Sequence, residues 1–140
     1  MGKTILGVVA GIIAAFATIW AIEMVHHLLY PVPNGVRLTD NAGLARYIAG
    51  MSLPQMLFIA GGWLAGAFVG GVVAAKIAGR TKAVWIVAGL VALAGIGNIL
   101  YVAHPLFLQI SAIVAPVIGG WLATKTVRER APSAHSAEDR

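Results

Sequence analysis

Cysteine is absent from this chain, which excludes disulfides, thiolate metal sites and thiol nucleophiles. Charge is scarce as well. Only 11% of the 140 residues are charged, where a soluble domain carries roughly 25%. Acidic side chains are the rarest of these: of the five, only Glu23 and Asp40 precede Val127. Catalytic patterns are missing too. There is no P-loop, no Gly-x-Gly-x-x-Gly following a strand and no Ser–His–Asp set with workable spacing. Glu23 with His27 can act as an acid/base pair, but no nucleophile or cofactor pattern accompanies it. The reading therefore leans away from an enzyme, and no cofactor is expected.

What the chain has is apolar length. It is 59% hydrophobic, with a mean hydropathy of +0.87. A membrane-spanning helix needs about 20 predominantly apolar residues. Four segments qualify: 5–30, 54–77, 83–102 and 105–126. Pro31 and Pro33 stop the first, and Ser52 with Pro54 suits the cap and first turn of the second. Gly79-Arg80-Thr81-Lys82 is a tight polar turn, and His104-Pro105 joins the last two spans almost without a loop. The expected fold is all-α: a polytopic membrane protein with four transmembrane helices in an up-down bundle over residues 1–126. Residues 127–140 are polar, rich in small residues and expected to form a disordered cytoplasmic tail.

The net charge of +5 does not indicate nucleic acid, because the positive residues form no stripe. They stand at the ends of the apolar runs. Lys3, Lys76, Arg80, Lys82, Lys125, Arg128 and Arg130 fall on one side, and Arg37 and Arg46 on the other. The positive-inside rule then makes both termini cytoplasmic in a multi-pass membrane protein. A cleavable signal peptide is disfavoured, because apolar sequence continues well past Ala15-Phe16-Ala17. Met-Gly-Lys at the start lacks the Ser/Thr of a myristoylation signal.

Residues 31–53 are the one substantial extramembrane loop. Thr39 or Asp40 is a candidate cap for a short amphipathic helix whose Leu44, Tyr47, Ile48 and Met51 share one face. Such a helix lies on the membrane surface or covers the bundle.

Small residues mark the expected packing faces, since helices in lipid gain little from apolar burial against each other. Gly62, Gly66 and Gly70 form a ridge on the second span, a glycine-zipper pattern. Gly7 and Gly11 mark the first span, and Gly120 the fourth, which also carries Pro116. Gly61-Gly62-Trp63-Leu64-Ala65 recurs as Gly119-Gly120-Trp121-Leu122-Ala123, at a different depth, and reads as coincidence. The first span presents a second face on its far side, so a homo-oligomer is expected; the bilayer is the other partner.

That second face holds the chemistry. Glu23, His26, His27 and Tyr30 fall within about 100° of helical arc. An ionisable cluster inside a span is costly and is a functional-site hypothesis by default. Gln55, Asn98, Tyr101, His104 and Gln109 lie at similar depth on the other spans, so a polar layer in the outer third is expected. Three readings of that layer stand side by side. It can be a hydrogen-bonded plug that fixes helix register. It can be a proton- or cation-responsive site. It can hold a metal through Glu23, His27 and His104 with a water. A di-iron bundle lacks its second Glu-x-x-His, and bis-His haem lacks facing histidines.

The run Glu23-Met-Val-His-His-Leu-Leu-Tyr-Pro-Val-Pro33, with Trp63 to Gly71 and the His104-Pro105 turn, resembles a family of small uncharacterised bacterial four-span inner-membrane proteins. The resemblance covers most of the chain to about Thr124 and implies the four-helix topology and membrane, without an activity. Size alone also resembles small multidrug transporters, but their essential Glu is mid-membrane, whereas Glu23 is near one end. The expected function is structural or accessory. The alternative is a small proton- or cation-linked transporter or channel subunit working as a homo-oligomer.

Overall fold

In a computed structural model, which describes residues 2–37 and 39–128, the described residues form five helices and no strand. They are α1 (Gly2–Leu29), α2 (Asn41–Ala49), α3 (Leu53–Ala78), α4 (Lys82–Tyr101) and α5 (Leu106–Arg128). α2 is short. The other four are long and apolar enough to cross a membrane. Even the shortest of these, α4 with 20 residues, reaches about 30 Å at 1.5 Å per residue. The chain is a multi-pass membrane protein by these lengths and compositions.

Helix boundaries follow local chemistry. Asp40, not Thr39, caps α2, accepting hydrogen bonds from Ala42 N–H and Gly43 N–H. Gly79 closes α3 at φ 66°, a left-handed geometry that suits glycine. Val102 is not in the third long helix as expected; it is extended, at φ −135° and ψ 139°, and its N–H caps the Asn98 carbonyl. α5 continues through Val127 to Arg128, the first two residues of the segment expected to be a tail. The rest of that tail, 129–140, lies outside the described residues.

α3 is the central helix and packs on α1, α4 and α5. The contacts between α1 and α3 are close enough to involve backbone. A methyl carbon on Gly11 would lie 2.6 Å from the Gly70 carbonyl oxygen, and one on Gly70 would lie 2.5 Å from the Gly11 carbonyl oxygen. Gly7 meets Ala74 and Ala78, and Gly66 meets Ala15 and Ile19, so the two helices run in opposite directions. Gly62 is looser, with Ile22 at 3.5 Å from a methyl carbon there. Gly120 packs on Ala88 of α4. Gly71, Gly95 and Gly119 are as tight, against Val84, Ala112 and the Leu64 carbonyl respectively, and were not singled out by spacing. The alanine-rich core where α1, α3 and α4 meet follows from these short approaches.

The repeated Gly-Gly-Trp-Leu-Ala segments occupy unlike places. Gly61 faces open space while Gly119 is wedged against α3, and Trp63 is buried while Trp121 is exposed. At the other end of the bundle from Gly7, α2 lies over the helix ends. Ile48 is buried with Val102 and Leu108, and Leu44, Tyr47 and Met51 pack around them with Met56 and Ile59. The backbone of the preceding loop is held close to α2, since a methyl carbon on Gly43 would lie 2.7 Å from the Arg37 carbonyl oxygen.

Candidate functional site

α1 and α4 touch at Gly11 and Val87. Toward the α2 end they leave between them a cleft of about 350 Å³. Glu23 enters it from α1 and Asn98 from α4, both on the exposed surface of the bundle. Phe16, Ile19 and Trp20 line the α1 wall, and Val91, Ala94 and Gly95 the α4 wall. Trp63 of α3, which is buried, forms part of the lining. Trp20 is 64% exposed, so the cleft faces sideways, along the flank of the bundle. The Glu23 carboxylate has no hydrogen bond or ion pair with another described residue.

No histidine lines this cleft. The arc that groups Glu23, His26, His27 and Tyr30 on a helical wheel is split by the neighbours of α1. His26 turns into the protein and is 4% exposed. Its ring centroid lies 5.5 Å from His27, 5.4 Å from Tyr30 and 6.0 Å from Phe58 of α3. Tyr30 and Phe58 are themselves 6.1 Å apart. His26 Nε2 is buried with no hydrogen-bond partner, while His27 is exposed. Glu23 and His26 therefore belong to different environments on adjacent faces.

The remaining members of the expected polar layer are engaged locally. Gln55 Oε1 accepts from the Ser52 N–H and from the Ser52 hydroxyl, both at 2.8 Å, at the start of α3. Gln109 Nε2 donates to the His104 carbonyl at 2.7 Å. His104 Nδ1 lies 2.6 Å from the Val102 carbonyl oxygen, folding the ring back on its own turn. Tyr101 is 71% exposed. The layer is thus a set of separate pieces, among which Glu23 and Asn98 line a cavity together. The metal set Glu23, His27 and His104 is not assembled: among the described residues no three His, Asp or Glu side chains come together. The geometric reason is that His104 is tied to the α4–α5 turn, whereas Glu23 faces the α1–α4 cleft.

A second concavity was not anticipated. It has a volume of about 670 Å³ and lies between the 31–37 loop, α2 and the start of α3. Arg37, Arg46 and Tyr47 are among its walls. The signal for it was present, since Arg37 and Arg46 are the only basic Lys/Arg residues between the first two long helices, but charge counting assigns them to orientation alone.

Comparison with known proteins adds no assignment: no family model, no curated protein and no solved structure matches this chain.

Proposed function

We propose that the chain is a structural or accessory protein of the bacterial inner membrane that works as a homo-oligomer, with the α1–α4 cleft as its lateral contact. In this reading the four long helices form an up-down bundle with both termini cytoplasmic. α2 is an amphipathic cover on the outer face, and the chain groups with the small four-span proteins that its 23–33 segment resembles. The observation that carries the reading is the Glu23–Asn98 pair. An intramembrane carboxylate is costly unless it is paired or reaches water, and the Glu23 carboxylate has no hydrogen bond or ion pair with another described residue. In a dimer related by an axis along the membrane normal, residues of equal depth meet. Asn98 and Glu23 of one copy then face those of the other, and an amide supplies both donor and acceptor.

Support for this over a proton- or cation-linked transporter comes from the disposition of the polar groups. Transport needs polar side chains in succession along the bundle. Gln55, His104 and Gln109 are instead engaged at their own helix starts and turns.

The test uses the natural absence of cysteine. Ala94→Cys on the cleft wall should form disulfide-linked dimers on oxidation in native membranes, and Ile113→Cys on the exposed face of α5 should not. Equal cross-linking at both positions, or none at Ala94→Cys and Trp20→Cys, would remove the cleft as the contact.

A further inference from the structure

We infer that the concavity between the 31–37 loop, α2 and the start of α3 is a binding site for a phosphate group. The ligand is a phospholipid headgroup or a free phosphate. This is independent of the cleft and of any oligomer.

The argument rests on which polar groups around the concavity are already engaged. Asp40 uses one carboxylate oxygen on the Ala42 N–H and the other on the Gly43 N–H, so its oxygens are engaged at the start of α2, and the charges of Arg37 and Arg46 outnumber its own. Gln55 Oε1 is taken by Ser52, so what this amide has to offer is its NH₂. Arg46 donates only Nε, to the Ala42 carbonyl, which leaves its terminal nitrogens without a partner among the described residues. Arg37 lines the same space and is exposed. Two guanidinium groups and an amide NH₂ give a donor-rich, positively charged wall; Asn34 adds an amide of either sense.

That chemistry selects an oxyanion. The guanidinium fork fits phosphate oxygens with two parallel hydrogen bonds, and such charge-assisted bonds are the stronger kind. Size agrees: about 670 Å³ falls in the range of roughly 300–1,000 Å³ typical of small-ligand sites. Position points to phosphate in particular. The concavity sits where α1 ends at Leu29 and α3 begins at Leu53, both exposed apolar residues beside it in the chain. That is the headgroup level of a bilayer that the long helices span, where phosphate is the abundant anion and acyl chains can run down the neighbouring leucines.

The experiment is calorimetric titration of the purified full chain in a neutral detergent and phosphate-free buffer. Three probes are used: dioctanoyl phosphatidylglycerol, inorganic phosphate and dioctanoylglycerol. Saturable binding of the phospholipid is expected, with competition by inorganic phosphate and no binding of dioctanoylglycerol. Arg37→Gln and Arg46→Gln should each weaken it about tenfold, the loss of one charge-assisted contact. Arg→Lys at either position should recover part of the affinity, since charge remains and the fork does not. Binding of inorganic phosphate but not of the phospholipid, with the same dependence on both arginines, would identify free phosphate as the source. Failure of both phosphate probes overturns the site. So does equal binding of dioctanoylglycerol, or unchanged affinity in the Arg37→Gln/Arg46→Gln double variant with helix content retained. If that double variant loses its helix content, lack of competition by phosphate in the unmodified chain overturns it instead.

Discussion

Glu23 and Asn98 line one cleft from two different helices, and the Glu23 carboxylate makes no hydrogen bond or ion pair with another described residue. A carboxylate placed this way should contribute little to the stability of the monomer and more to what the monomer binds. Glu23→Leu is therefore expected to leave thermal unfolding of the detergent-solubilised monomer unchanged or raise it. The same substitution should weaken self-association by about 0.6–2 kcal/mol, the range for polar contacts between membrane helices. Sedimentation equilibrium in density-matched detergent reads the second effect. A monomer that melts markedly earlier would mean that Glu23 has an internal partner, contrary to the structure. In the same series, Glu23→Gln liposomes should show the same pH-driven proton flux as the unmodified protein. A flux that needs the carboxylate would favour the transporter.

Gly70 and Gly62 lie two turns apart on α3 but differ in what surrounds them. A methyl at Gly70 would meet the Gly11 carbonyl oxygen at 2.5 Å and the Ala15 side chain at 2.7 Å, whereas at Gly62 it would meet Ile22 at 3.5 Å. Gly70→Ala must push α1 away from α3, and overpacking of this kind costs about 1–3 kcal/mol. Gly62→Ala fits at ordinary contact distance and should be neutral or slightly stabilising through its helix preference. Unfolding in mixed micelles with increasing dodecyl sulfate separates the two. Equal loss at both positions would show that the α1–α3 approach is uniform along its length.

This contrast also shows what the sequence could and could not disclose. Apolar run length and the proline and glycine punctuation were sufficient for four long helices, because hydrocarbon thickness imposes a length that composition records. Spacing also marked Gly66 and Gly70. It could not separate them from Gly62, nor find Gly119, because closeness depends on the helix opposite. The polar residues are divided among separate surroundings for a related reason. Depth along a helix says nothing about which neighbour a side chain meets. The arc from Glu23 to Tyr30 straddles two neighbours, so α3 takes His26 and the α1–α4 cleft takes Glu23. Gln55 and Gln109 sit near helix starts, where free backbone groups compete for any side chain able to reach them.

The dispersal of the histidines has a consequence for metals. Zinc needs at least three protein ligands at bonding distance, and His104 is held at its own turn by the Val102 carbonyl. Protein extracted in mild detergent without chelators should carry less than stoichiometric zinc, iron or copper by elemental analysis. Adding zinc should not raise its melting temperature, as a ligand that binds only the folded state would. One tightly held equivalent, lost in Glu23→Gln, would contradict this arrangement.

His26 tests whether its cluster serves packing or binding. Its Nε2 is buried and unpartnered, in a setting made of His27, Tyr30 and Phe58 rings. A buried polar atom without a hydrogen bond costs about 1–3 kcal/mol, and replacing it by an apolar group of similar shape removes that cost. His26→Phe should therefore stabilise the bundle, with His26→Leu as the check if the larger ring crowds Phe58. The measurement is the unfolding midpoint in detergent, compared with His27→Phe. Because His27 is exposed, that variant should change little. Stabilisation at His26 alone identifies an aromatic packing cluster with one imperfect member. Destabilisation by both apolar replacements would mean that Nε2 has a partner in the membrane, and that the α1–α3 face there is part of an assembly rather than of a single chain.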